Sequence, residues 1–240
     1  MDTTQSSNPN LRDIPLSDVS AAERAKFIKK TYVHLAGAVL AFICIEFLLF
    51  QIPFVVNFAL SLTGGYSWLI MLGGFMFVTH FAEGWVNNSK NKTVQYAGLG
   101  LYCFAQAFIF IPLLFMAMLA TGDLAIVGKA AIVTLSLFTG LSAVVLITGK
   151  DFSFLKSALT VGFMLAMGLI VAGIVFGFNL GLYFSFAMVV LAAGSILYQT
   201  SQMVNKYHTG QYVAASLGLF ASLMLLFWYI LQIFLSFSGD

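Results

Sequence analysis

Of the 240 residues, 60% are hydrophobic and only 8% are charged. A water-soluble domain needs roughly a quarter of its residues charged to solvate its surface. A soluble enzyme or soluble binding module is therefore excluded, and lipid must surround most of the chain. The formal net charge of +2 rests on few basic residues, which suit anionic lipid headgroups and exclude a nucleic-acid partner. The 25 Phe and 21 Gly fit this setting, since bulky side chains meet acyl tails while Gly lets helix backbones approach closely.

Residues 1–25 read as a polar, disordered cytoplasmic tail, too hydrophilic for the apolar region of a secretory signal. The stretch from Ser20 to Lys30 can extend the first helix inward by a turn or two. Residues 26–240 read as one seven-helix transmembrane domain. With no water in the hydrocarbon core, every backbone N–H and C=O must be paired within the protein, so a span is a helix or part of a closed barrel. Barrel strands alternate apolar and polar residues over about ten positions; these runs are longer and continuously apolar. The predicted spans are Tyr32–Phe50, Ser67–Phe81, Tyr96–Leu119, Ala125–Thr148, Leu155–Gly177, Leu182–Tyr198 and Tyr212–Phe234. Each is near the roughly 20 residues that cross a bilayer. Breaker clusters separate them, among them Thr63-Gly64-Gly65, Asn87-Asn88-Ser89, Gly149-Lys150-Asp151 and His208-Thr209-Gly210. Cys44 and Cys103 lie inside apolar runs and build no disulfide framework.

Basic residues collect in cytoplasmic loops of membrane proteins. Arg12, Arg24, Lys26, Lys29 and Lys30 precede the first span; Lys90 and Lys92 lie in the second loop, Lys150 and Lys156 in the fourth, and Lys206 in the sixth. Only Lys129 falls on the other side, so ten of the eleven basic residues share one side. This predicts a cytoplasmic N-terminus and an external C-terminus. Short loops and the absence of a signal peptide suit a bacterial inner (plasma) membrane. No internal repeat indicates a transporter built from inverted halves.

Ionisable groups within spans are costly and are functional candidates for that reason. Glu46 lies 15 residues after Thr31, about 22 Å up a helix rising 1.5 Å per residue, in the outer half of the first span. It reads either as a cation or proton ligand on a polar path, or as a neutral or snorkelling carboxyl hydrogen-bonded near the outer interface. His34, His80 and Glu83 fall at cytoplasmic helix ends, with His80 and Glu83 sharing a face at (i, i+3). With His208 in the sixth loop, they outline a cytoplasmic mouth. A zinc site needs three or four convergent ligands, which this spacing does not supply, and no metal or cofactor is implied. Gly140-Leu141-Ser142 matches the Gly-x-Ser fragment around intramembrane serine nucleophiles. A nucleophile needs an adjacent base, while small residues in membrane helices usually mark close packing. We read packing, and a protein that is not an enzyme. Gln106, Asn179, Gln199, Ser201, Gln202 and Ser222 complete the polar inventory, with interhelical hydrogen bonding as their simplest role.

Three segments resemble the Bax inhibitor-1 family of seven-helix membrane proteins: FIKKTYVHLAGAVL (Phe27–Leu40), FTGLSAVVLITGKDFSFL (Phe138–Leu155) and GSILYQTSQMVNKYHTGQYVAASLGLF (Gly194–Phe220). The resemblance implies a fold with the seventh helix central and the other six around it. Many members carry one aspartate in the sixth helix and one in the seventh, which share a proton and are thought to gate calcium leak. Here Gln199 occupies the first position, and Ser222 aligns most simply with the second. Neither side chain ionises, so the proton latch is missing; the resemblance implies that the two face each other, where a Gln–Ser hydrogen bond could replace the shared proton. Two functions follow. One is a non-enzymatic regulator that contacts other membrane proteins, such as a membrane protease, in stress or quality control. The other is a calcium or proton leak channel or exchanger without the aspartate gate, its path lined by Glu46, Gln199 and Ser222.

Overall fold

The computed structural model describes residues 14–122 and 124–238. Eight helices account for nearly all of them: α1 Ala21–Phe50, α2 Pro53–Ser61, α3 Tyr66–Asn88, α4 Lys92–Thr121, α5 Ala125–Thr148, α6 Leu155–Phe176, α7 Gly181–Asn205 and α8 Tyr212–Ser238. All except α2 are long and apolar enough to cross a membrane. Their lipid-facing surface carries large apolar side chains such as Phe77, Ile147, Phe176 and Val190. The ends that carry most of the Lys and Arg are called the basic end below, and the opposite ends the far end.

Local chemistry sets most helix limits. Ser20 caps α1, its hydroxyl accepting the Glu23 N–H at 3.3 Å, and Glu23 three positions later completes the capping pattern. Pro53 opens α2 at a position where no N–H donor is needed; the uninterrupted apolar run hid this short helix from the sequence reading. Gly122, Gly149 and Gly177 end α4, α5 and α6 in the left-handed region that glycine adopts without strain. α3 and α7 continue beyond the predicted Phe81 and Tyr198, to Asn88 and Asn205. Their final turns are polar because they leave the apolar layer or face the protein interior, and neither reason ends a helix.

The predicted disordered tail needs a correction. Residues 14–18 form a strap across the turn between α7 and α8, and residues 21–25 already belong to α1. Pro15 pairs with His208 in an antiparallel bridge. The Leu16 N–H donates to the Tyr207 carbonyl at 3.1 Å, and the Thr209 N–H to the Ile14 carbonyl at 3.3 Å. Leu16 is fully buried, and the Arg24 guanidinium donates twice to its carbonyl, at 3.2 and 3.0 Å. The remaining tail, residues 1–13, lies outside the described residues.

α8 is central. It packs against α1, α3, α4, α5 and α7, and the consecutive residues Val213–Leu217 are all buried, so no side of that stretch faces lipid. α4 runs beside it with Phe110 at the junction, edge-on to Phe42 at 5.3 Å and to Trp228 at 4.9 Å and stacked on Phe227 at 5.6 Å. α6 stands at the periphery, packed mainly on α7 and touching α3. The gap behind it holds the site.

A polar crevice ending at a single carboxyl

A cavity of about 800 Å³ lies among α3, α4, α6, α7 and α8. Side-chain pairs mark its depth. At the far end, Ser185 donates to the Gln232 amide oxygen at 3.3 Å, with Asn179 nearby in the lining. One helical turn deeper on α8, Trp228 stacks on Trp68 at 6.3 Å, in the first turn of α3. Deeper still, the Ser195 and Ser222 hydroxyls meet at 2.8 Å, and Gln199 lies against Gly218. From Ser185 to Gln199 is about 21 Å of helix at 1.5 Å per residue. Glu83, Tyr102 and Gln106 line the wall from α3 and α4, and Glu83 is the only formally charged residue in the lining.

The crevice joins some of the residues singled out in the sequence and separates others. Gln199 and Ser222 both line it, but they do not pair as expected. Ser222 donates its one proton to the Gly218 carbonyl at 3.0 Å, so Ser195 is the donor in the Ser195–Ser222 bond. Ser195 lies one turn before Gln199 on α7, and Gly218 one turn before Ser222 on α8. The expected pairing is thus out of register by a turn on each helix. A Cβ on Gly218 would lie 2.8 Å from the Gln199 amide oxygen, so glycine is what admits that side chain. Ser195 was missed in the sequence; its (i, i−4) relation to Gln199 was the available signal.

Glu46 is not on this path. It is 7% exposed, within the buried stripe of α1 between Phe42 and Leu49, and neither carboxyl oxygen has a hydrogen-bond partner. It does not line the crevice, and a carboxyl buried without a partner fits the neutral form, not the snorkelling one. Of the expected mouth of His34, His80 and Glu83, only the last two stay together. His80 is exposed and the half-buried Glu83 faces the crevice, yet they remain within electrostatic reach of each other. His34 sits at the α1–α4–α8 contact, with Nδ1 2.7 Å from the Lys30 carbonyl and Nε2 2.9 Å from the Tyr96 hydroxyl. The carbonyl can only accept, so Nδ1 carries a proton and donates it. Among the described residues, no three His, Cys, Asp or Glu side chains converge as metal ligands. Ser142 is buried near Tyr32 and Thr200, its hydroxyl without a hydrogen-bond partner.

Below the crevice, two of the sequence segments that carried the resemblance lock together. Ser201 accepts the Phe152 N–H at 2.8 Å and donates to Asp151 at 3.2 Å. Asp151 also accepts the Ser153 N–H at 2.8 Å, and the Gln202 amide donates to the Ser153 hydroxyl at 2.8 Å. Hydrogen bonds from Ser153, then from Ser201, with the Lys206 cation nearby, hold the exposed Asp151 carboxyl below the usual carboxylate range. Ser201 and Gln202 therefore tie a helix end to a loop and do not bond two helices in mid-membrane. Tyr207, next in this turn, is pushed above the usual phenol range by burial and by the negative ends of Tyr198 and Glu83. It is a neutral phenol close enough to Glu83 for electrostatic contact, between the crevice floor and the strap that bonds its carbonyl.

Comparison with known proteins agrees with the geometry. The family model described as "Inhibitor of apoptosis-promoting Bax1" matches residues 24–239. An uncharacterized protein of Pseudomonas aeruginosa is 37% identical over 118 residues, 48% of this chain and 52% of that protein. The match thus spans about half of that relative's length. An uncharacterized protein of Neisseria meningitidis serogroup A is 28% identical over 197 residues, 79% of this chain and 86% of that protein. With seven apolar helices around a central α8 and a family match across nearly the whole described chain, this multi-pass membrane protein belongs to the Bax inhibitor-1 family.

Proposed function

We propose that the protein is a non-enzymatic leak channel or exchanger for cations, with the crevice as its path and Glu83 as its ion-attracting group. The observation that carries this reading is the crevice lining: amides and hydroxyls from α4, α7 and α8 share it with Glu83, with no basic side chain among the described lining residues. One negative charge on low-dielectric walls focuses its field along such a cleft and favours cations over anions. In this proposal solutes enter the crevice from the far end, while the strap pairs with the turn between α7 and α8 at the basic end. The basic end is cytoplasmic in this proposal and the C-terminus external. A bacterial inner membrane is the setting, in keeping with the two bacterial relatives.

Reconstituted liposomes loaded with calcium and pH indicators test it. Wild-type protein should release calcium or protons, Glu83→Gln should lower the flux at least tenfold, and Glu46→Gln should leave it within about twofold. Equal flux in wild type and Glu83→Gln would remove the crevice from the path. Folded protein that moves neither ion leaves the other reading, regulation by contact with membrane partners such as a protease.

A further inference from the structure

Ser and Thr hydroxyls inside a helix can bond back to their own backbone. Thr134, Thr148 and Thr160 do so here, each donating to the carbonyl four residues earlier, at 2.7, 2.6 and 2.9 Å. Ser142 on α5 and Thr200 on α7 do not. Their hydroxyls are buried without a hydrogen-bond partner, and the same holds for the Tyr32 hydroxyl on α1. The three are neighbours: Ser142 and Thr200 both lie close enough to act on the Tyr32 phenol, yet no direct hydrogen bond joins them. They meet about 8 Å inside the basic end, since Ser142 stands six residues before the end of α5 and Thr200 five before the end of α7. Helix packing explains why no backbone takes up these groups. α1 packs on α4 and α8 and only touches α7, while α5 packs mainly on α7 and α8. Tyr32 reaches across the interval, its ring edge-on to Phe138 of α5 at 6.5 Å.

Three hydroxyls bring three donor protons and have oxygens free to accept, and leaving them unpaired in an apolar interior is costly. A buried water is held by two to four polar partners, and three converge here. A metal ion does not suit the place, because hard cations favour carboxylates and no charged side chain acts on Tyr32. We propose that Tyr32, Ser142 and Thr200 form a binding site for one structural water that bridges α1, α5 and α7. The water accepts from one or two of the hydroxyls and donates to the others, so all three are satisfied without a helix moving. The bridge also fixes the roll of α7. Successive residues there point three ways, Gln199 into the crevice, Thr200 to the water and Ser201 to the Asp151 loop, so holding Thr200 helps to aim Gln199. The inference is independent of what the crevice carries.

X-ray hydroxyl-radical footprinting of the full-length protein in nanodiscs tests it. Radiolysis of a bound water makes the radical in place, so a ring beside that water is oxidised and a dry ring is spared. Tyr32 should be oxidised several-fold faster than Phe110, which is fully buried among aromatic rings. Ser142→Ala with Thr200→Val leaves one polar partner, too few to hold a water, and should bring Tyr32 down to the level of Phe110. Each single variant should lower the thermal midpoint by about 2–4 °C, whereas deleting a hydroxyl from a dry cluster would raise it. Tyr32 as silent as Phe110 would overturn the proposal, as would midpoints that rise. Oxidation unchanged in the double variant would trace the label to bulk solvent and overturn it too. The comparison of Tyr32 with Phe110 in the wild type stays decisive if a variant folds poorly.

Discussion

Gly98 and Gly100 stand two residues apart on α4 and have opposite surroundings. A Cβ on Gly98 would lie 2.8 Å from the Ala82 carbonyl oxygen, 2.8 Å from a Val86 methyl and 3.1 Å from the Trp85 Cβ, whereas one on Gly100 meets nothing within 4 Å. Carbon contacts are comfortable at about 3.5–4.0 Å, so Gly98→Ala forces α3 and α4 apart by roughly 0.7 Å. Backbone and a β-branched side chain are the obstacles, and neither can swing aside. Overpacking of this kind costs about 1–3 kcal/mol. Both Gly→Ala changes gain about 1 kcal/mol of helix propensity, and this gain cancels in the comparison. Gly98→Ala should therefore be less stable than Gly100→Ala by about 1–3 kcal/mol, measured as the difference in unfolding free energy in detergent with increasing SDS. If the two alanine variants unfold together, the α3–α4 contact is looser than described and the argument fails.

Other consequences can be measured with the same preparation. Ser195→Asp with Ser222→Asp places two carboxyls at the 2.8 Å contact, where they must titrate as a coupled pair; liposome flux should become pH-dependent, and a flat profile would disprove the contact. Gly218→Ala should displace the flexible Gln199 side chain at less than about 1 kcal/mol, changing Glu83-dependent flux with little change in stability. Asp151 is held below its unfolded value, so its contribution is present above the usual carboxylate range, about pH 4, and is lost as pH falls through its lower folded value. Asp151→Asn should therefore flatten the acid limb of a stability–pH curve and leave the alkaline limb unchanged. Arg24→Ala removes both charged hydrogen bonds to Leu16, worth about 1.5–3 kcal/mol each at most, and should raise amide exchange at Leu16 and Thr209 while α8 stays protected.

The seven spans were legible because lipid imposes one rule on long stretches, and basic residues marked one set of loops independently. α5 begins and ends where the apolar run does, since Gly149 and the polar residues after it coincide with the change of medium. The rule failed where burial in protein, not lipid, determined polarity: α7 passes straight through Gln199 because this side chain faces the crevice. The strap was missed because Ile14 and Leu16 are scattered apolar residues in a polar stretch, and their partner, the turn at Tyr207–Thr209, is remote in sequence. Candidate residues were recognised by type but not by direction. Helical spacing puts Glu83 near the basic end yet cannot distinguish the crevice from the headgroups, and the resemblance paired Gln199 with Ser222, where the structure offsets them by a turn.

Pro15 and His208 are separated by roughly 190 residues of chain. During synthesis, the segment around Leu16 leaves the ribosome first and has nothing to pair with until α7 has been made and its turn has emerged. Few contacts in the molecule have a higher loop-closure cost, and such contacts form late. Sealing of the basic end is thus a final step of assembly, and a nascent chain stalled before α7 would leave Leu16 bare.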